Sequence, residues 1–293
     1  MNAFTIKDLE NLSGIKAHTI RIWEQRYNFL KPHRTDTNIR YYSNDELVTV
    51  LNIALLNKYG FKISHIDRML PQEIHQRILS LTDTKAIQER IVNELVKQMV
   101  DLDIIKFEET LKNYINSRGI ERTVTQIIFP FLEKIGILWL TGHINPAQEH
   151  LVTNVIRQKL IVAIDGCVSS IKVDKTVLLF LPEGEHHELG LLFMYYLIKS
   201  RGIKTIYLGA NVPLKDVDYL VKLKKPDLIF IHMTATAASF NFEKFLNGID
   251  QRFNNIPTII SGQLTQNYRK QVPACIHLKK SLGDVMEYLS SLQ

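Results

Sequence analysis

At 293 residues the chain exceeds one typical domain, and its length predicts two or three. Apolar residues at 45% and charged residues at 23% exclude a disordered chain, and a net charge of +6 favours a polyanionic partner. Two cysteines, Cys167 and Cys275, lie far apart and outside any Cys-x-x-Cys spacing, which excludes a disulfide framework and a cysteine-built zinc site. The opening stretch MNAFTIKDLENL is acidic where a secretory signal would be apolar. No apolar run approaches the roughly 20 residues of a membrane-spanning helix. The expectation is a cytoplasmic protein with no membrane partner.

The first segment, about 1–70, concentrates basic residues. Between positions 16 and 40 stand Lys16, Arg21, Arg26, Lys31, Arg34 and Arg40 against only Glu24 and Asp36. Thr5-Ile-Lys-Asp8 reads as a capping box opening a short helix, which Ser13-Gly14 breaks. A second helix is predicted over 17–27, with Ile20 and Trp23 on one face and Arg21 turned off it. Turn-prone Asp36 and Asn38 predict a small hairpin over 34–42, and Ser43-Asn-Asp-Glu46 caps a helix ending at Gly60. Taken singly, Arg21, Arg26 and Arg40 fit a solvated basic face better, and the whole domain pattern reverses that reading.

The order helix, turn, helix, basic hairpin, helix is that of a winged helix-turn-helix. FTIKDLENLSGIKAHTIRIWEQRYNFLKPHRTDTNIRYYSNDEL resembles the DNA-binding domain of the MerR family, and WEQRY is similar to its CarH/LitR subgroup of photoreceptor regulators. The resemblance implies double-stranded operator DNA as partner. The second helix would enter the major groove, with Lys16, His18, Thr19, Arg21, Arg26, Arg34, Arg40 and Tyr41 as the contact set.

The second segment, about 71–170, is nearly free of glycine and proline from Gln72 to Gly119. Its apolar residues recur at helical spacing through Ile87, Ile91, Leu95 and Met99, then Ile105, Phe107, Leu111, Tyr114 and Ile115. Two further helices are predicted over 122–140 and 146–171, giving a four-helix bundle. A sustained heptad pattern is absent, unlike the long dimerising coiled coil of many MerR-family regulators.

The third segment, about 174–293, alternates β-rich runs at 176–181, 205–208, 227–232, 257–260 and 275–278 with helical stretches at 188–201, 213–224, 239–251, 264–271 and from 281. This predicts a parallel, flavodoxin-like α/β domain whose ligand lies beyond the carboxyl ends of the strands.

The loop after the first of these strands holds Glu185-x-His187-x-x-Gly190, similar to the Asp-x-His-x-x-Gly signature of cobalamin-binding domains. That resemblance implies His187 as the lower axial ligand of cobalt, oriented by Glu185, while Gly190 lets the backbone pass the nucleotide tail. His186 has the wrong spacing to Gly190. Thr234 and Thr236 stand where such domains have a Ser/Thr-rich turn against the tail, and Ser261-Gly262 where they have Gly-Gly. Ordinary strand-to-helix turns account equally well for each of these four residues alone.

Upstream, Trp139-x9-Glu149-His150 resembles the motif that CarH-type regulators carry in their bundle, facing the upper side of the cobalamin. Asn145-Pro146 predicts a helix N-cap and first residue, so Glu149 and His150 fall in a first turn. A core tryptophan beside a dipole-favoured glutamate is the alternative. Leu140 stands where light-sensing members carry a second cobalt-binding histidine, and His143 is the candidate substitute.

Together these features imply a winged helix-turn-helix over 1–72, a helical cap over 73–173 and a flavodoxin-like cobalamin-binding domain over 174–293. The resemblance implies a repressor that binds adenosylcobalamin, assembles as a cofactor-dependent homo-oligomer (dimer or tetramer) and responds to light. Cobalamin would act as a sensor, so no enzymatic activity is expected. Two rival readings are a regulator independent of cobalamin and light, and a corrinoid carrier for methyl transfer, against which the winged helix argues.

Overall fold

The computed structural model describes residues 3–235 and 240–292. The chain forms two compact units, residues 1–156 and 157–293.

In the first unit, α1 (Ile6–Ser13) starts at the expected capping box. Thr5 Oγ1 accepts the Asp8 N–H, the Asp8 carboxylate accepts the Thr5 N–H at 2.7 Å, and Gly14 ends the helix at φ 75°. Helix α2 (Ala17–Arg26) buries Ile20 and Trp23. Strands β1 (His33–Arg34) and β2 (Arg40–Tyr41) form the antiparallel hairpin, with Asn38 left-handed at its turn. Helix α3 (Asn44–Lys58) begins at the second capping box, Ser43 with Glu46. Two short helices that the sequence pattern did not predict follow, α4 (Ile63–Ile66) and α5 (Pro71–Leu79). Ile66 and Ile78 join Trp23, Ile53 and Leu56 in one apolar cluster.

The bundle comprises α6 (Thr84–Val100), α7 (Ile104–Arg118), a continuous helix from Ile120 to Leu140, and α10 (Pro146–Asp165). The long helix divides into α8 (Ile120–Thr123), a π-helical turn (Val124–Ile128) and α9 (Phe129–Leu140). Pro130 explains that turn: its ring would clash with the Gln126 carbonyl of a regular helix, and a wider turn relieves this. Contrary to the expectation from the sequence, Ile120–Leu140 is long and apolar enough by composition to cross a membrane. Here it is a core helix, burying Val124, Ile127, Phe131, Ile135 and Leu138, with Phe131 5.3 Å from Phe107 between ring centroids. Helix α10 stops at Asp165, short of the predicted 171, because Gly166 follows and favours an end over an interior.

Within this unit the winged helix-turn-helix half is seated on the bundle. Lys134 of α9 donates to Leu12 O at 2.8 Å and to Asn93 Oδ1 at 2.9 Å, and Asn44 Nδ2 donates to Val100 O at 3.2 Å. Burial lowers the Lys134 ammonium to about 8, against an upward pull from Glu89. Between that value and the ordinary 10.5, the unfolded chain therefore keeps a proton that the folded chain has shed. The contribution of Lys134 to stability rises with pH across that window. Thermal unfolding followed from pH 7.5 to 9.5 is expected to show this rise in the wild type and a flatter profile in Lys134→Met; equal slopes would refute it.

In the second unit, strands β3 (Val173–Pro182), β4 (Ile203–Val212), β5 (Leu228–His232), β6 (Thr258–Ser261) and β7 (Ile276–Leu278) form one fully parallel sheet in the order β4-β3-β5-β6-β7. This is the flavodoxin-like order. Helices α11 (Leu189–Ser200), α12 (Leu214–Lys224), α13 (Phe242–Phe253), α14 (Gln263–Gln266) and α15 (Leu282–Ser291) alternate with the strands. The central strands are covered on both faces, so Val177–Leu181 and Leu228–Ile231 are buried without alternation. The helix predicted over 264–271 is a single turn, because the Thr265 hydroxyl ties it to Gly262 O and Lys279 O. Chain order reverses at β3, which places the switch-point crevice at the loops after β3, β5 and β6.

Candidate functional site

The β3–α11 loop brings Glu185 and His187 together. Glu185 is fully buried, and its Oε1 lies 2.7 Å from His187 Nδ1 while accepting the His187 N–H at 2.9 Å. Its Oε2 accepts the backbone N–H groups of Thr234 and Ala235 at 2.9 and 2.8 Å, pinning the β5 loop to the β3 loop. Burial pushes this carboxyl up, but hydrogen bonds from the His187 side chain, His187 N–H and Ala235 N–H outweigh it and hold it below the usual carboxylate range. An ionised carboxylate on Nδ1 fixes that nitrogen as the protonated one and assigns Nε2 the role of metal donor. The His187 side chain is 61% exposed, so the ring stands out from the sheet edge on a buried anchor. The donor chemistry of this pair fits the lower ligand of a corrinoid cobalt.

The other predicted residues divide. Thr234 contributes its N–H to Glu185, and Thr236 lies outside the described residues. Gly262 is at φ +104°, and a Cβ there would sit 2.3 Å from Met233 O, so glycine is required. Ser261 Oγ lies 2.9 Å from Nδ1 of His232, the last residue of β5. That ring rests against Gly190, where a Cβ would be 2.2 Å from His232 Nε2. Glycine at 190 therefore makes room for an imidazole of this chain. Sequence reasoning passed over His232 because it ends an apolar strand and belongs to no local motif.

It also missed a cluster beside the loop. Arg157 forms an ion pair with Glu188, Tyr207 donates to Glu188 Oε1 at 2.7 Å, and Tyr195 stacks on Tyr207 at 4.8 Å. These contacts fasten the start of α11 against β4, which steadies the loop carrying His187.

In the first unit, Trp139 and Leu140 are the last two residues of α9, 57% and 80% exposed. The predicted cap is present: Asn145 Oδ1 accepts the Ala147 N–H at 2.8 Å, and Pro146 opens α10. Glu149 and His150 lie in its first turn, paired at 3.1 Å. A tryptophan this exposed is not the core residue of the alternative reading. His143 is turned to a different task. Its Nδ1 lies 3.0 Å from buried Asp8 Oδ2, close enough for an ion pair though off the line of a hydrogen bond. Thr141 Oγ1 donates to Asp8 Oδ1 at 2.9 Å. The loop after Trp139 thus grips α1, with Nδ1 of His143 held against Asp8.

Of the residues expected to contact DNA, His18, Arg21 and Arg26 of α2 are exposed and Thr19 is half-buried. Lys16 pairs with Glu10 at 3.2 Å, and Arg34 donates to Asn38 Oδ1 at 2.7 Å inside the hairpin. Arg40 pairs with Glu24 at 3.2 Å, and Tyr42 bonds the same carboxylate, so the hairpin is braced on α2. Tyr41 stacks on His33 across the hairpin at 5.3 Å. Arg21 and Arg26 have no ion-pair partner among the described residues, which leaves both charges to an external anion.

Residues 4–73 match the family model of the MerR HTH family regulatory protein, and residues 91–163 match the B12 binding domain. The chain is 25% identical over 274 residues to the HTH-type transcriptional repressor CarH of Myxococcus xanthus, covering 91% of each. It is 24% identical over 269 residues to the HTH-type transcriptional repressor CarA of the same organism, covering 91% of this chain and 89% of that one. Among solved structures, the Methanosarcina barkeri monomethylamine corrinoid protein covers 70% of this chain and 100% of its own, at 12% identity and a TM-score of 0.54, a likeness of fold alone.

Proposed function

We propose that this homologue of the CarH and CarA repressors, which joins a MerR helix-turn-helix to a B12-binding domain, is a cytoplasmic transcriptional repressor that binds adenosylcobalamin as a light-sensitive switch of assembly and operator binding. The observation that carries the cofactor reading is the buried Glu185 holding His187 by Nδ1, an arrangement that suits metal ligation. His187 would hold the cobalt from below, Thr234 would stay in register through Glu185, and Trp139, Glu149 and His150 would face the upper ligand. When bound, adenosylcobalamin supplies a cobalt–carbon bond that light can break. The chain's own residues do the rest. Arg21 and Arg26 offer charge to phosphates, and the hairpin braced by Arg40 and Glu24 presents Tyr41 and Arg34 beside α2. A single small DNA-binding domain binds weakly, and assembly into a dimer or tetramer would make the contacts additive on operator repeats. A ligand that prefers the assembled form must favour assembly.

A second reading, a regulator of this architecture independent of cobalamin and light, draws on Leu140, which stands in place of a second cobalt-binding histidine.

One experiment separates them. The protein is mixed with adenosylcobalamin in the dark and passed through gel filtration, read at protein and corrinoid wavelengths, before and after green light. Corrinoid eluting with a larger species that shrinks on illumination is the expected result. Co-elution without a light response would leave a cobalamin sensor that is not a photoreceptor. A colourless protein peak would sink the cofactor reading.

A further inference from the structure

A cobalamin whose lower base is displaced by a protein histidine still carries that base, with its ribose and phosphate, on a tether from the lower edge of the corrin. The domain that donates the histidine must house this nucleotide or leave it in solvent. Two positions without side chains, Gly190 in the first turn of α11 and Gly262 after β6, lie in the loops at the switch point of the sheet. Any recess beside Gly190 is already filled. The half-buried ring of His232 rests on Gly190, so close that a Cβ there would be 2.2 Å from Nε2. Its Nδ1 is tied at 2.9 Å to Oγ of Ser261, itself buried. Met233 presses its backbone onto Gly262 on the other side, with its N–H donated to Ser261 O at 2.8 Å. The β5 loop that carries this plug is fixed in turn by Glu185, through Thr234 and Ala235. Ligand and plug therefore share one anchor, and the plug cannot be moved by shifting the whole loop without disturbing His187.

We infer that His232 is a specificity-determining residue that occupies the place a displaced nucleotide would need, so that this domain discriminates little between a corrinoid with a nucleotide and one without. The inference rests on the cofactor reading above and extends it to the lower half of the site. Exclusion by a filled recess is discrimination built on a clash, and it disappears when the clashing group is shortened. His232→Ala empties the recess. His232→Asn shortens the side chain while keeping a partner for Ser261, and it serves where the alanine variant fails to fold.

The test is equilibrium binding of two probes, adenosylcobalamin and adenosylcobinamide, followed by absorbance in the dark. Adenosylcobinamide has the same corrin and upper ligand but no nucleotide. The wild type is expected to bind both with affinities within about threefold. The variants are expected to gain at least about tenfold for adenosylcobalamin, with adenosylcobinamide unchanged. A wild type that prefers adenosylcobalamin by tenfold or more, or variants that leave the ratio unchanged, would overturn the role of His232 while leaving the cofactor reading intact. Binding of neither probe to any form would overturn the cofactor reading, and this inference with it.

Discussion

His187→Ala is expected to cost at least about a hundredfold in corrinoid affinity while leaving the melting temperature of the second unit nearly unchanged. The ring is largely in solvent and contributes little to packing, so its loss removes a ligand and not a support. Glu185→Gln should show the opposite balance. Glu185 is buried and accepts from four donors, the His187 ring and the N–H groups of His187, Thr234 and Ala235. A glutamine amide has one oxygen and one nitrogen, so it serves one side and presents a donor to the other. Leaving buried donors unpaired costs about 1–3 kcal/mol, a fall of a few degrees in melting temperature for a unit of this size. Corrinoid affinity should fall roughly 10- to 100-fold, the usual effect of removing the carboxylate behind a metal-bound histidine. Absorbance titration and thermal unfolding on the same preparations separate the two. A His187→Ala protein that holds adenosylcobalamin with an unaltered spectrum would show that another group is the lower ligand.

The contrast between these two residues marks what was legible in the sequence. Glu185, His187 and Gly190 fall within six positions of one loop, and a short motif records relations of that kind. Capping boxes at Thr5–Asp8 and Ser43–Glu46 are equally local, and both formed as expected. The strand runs were readable because a parallel sheet covered on both faces requires unbroken apolar stretches. What the sequence hid was set by contacts across long separations. His232 reaches Gly190 across 42 positions and Ser261 across 29, and nothing in the strand LIFIH announces either neighbour. The glycine that seems to make space for a ligand makes space for this ring. Lys134 was invisible for a similar reason: beside Glu133 in a mostly apolar helix it reads as a solvent-facing charge, and only the distant Leu12 carbonyl and Asn93 amide oxygen explain its burial. The shortened α10 and the π turn at 124–128 were within reach, since Gly166 and Pro130 stand in the sequence. Helical periodicity outweighed both signals.

Asp8→Ala is expected to lower the first unfolding transition by roughly 6–12 °C, about 3 kcal/mol at the 2–4 °C per kcal/mol of a unit this size. Two losses combine. Asp8 closes the capping box of α1, accepting the Thr5 N–H at 2.7 Å and the Thr5 hydroxyl at 2.6 Å, which is worth about 1 kcal/mol. It also anchors the loop after Trp139 through the Thr141 hydroxyl, with His143 close by, and a hydrogen bond to a charged group contributes about 1.5–3 kcal/mol. His143→Ala and Thr141→Ala cut only the loop side, so each should cost about 1 kcal/mol and leave the α1 cap intact. Because the three residues share one buried carboxylate, their effects should not add. A double-mutant cycle of Asp8→Ala with His143→Ala is expected to give a coupling of roughly 0.5–3 kcal/mol. Additive effects would show that the 3.0 Å approach carries no energy. The same variant tests the ligand question, since the contact with Asp8 accounts for the position of His143 without a metal. His143→Ala should therefore leave the absorbance spectrum of the illuminated, corrinoid-loaded protein unchanged. A spectral shift in that variant would mean that His143 ligates cobalt after illumination, through the Nε2 that Asp8 leaves open.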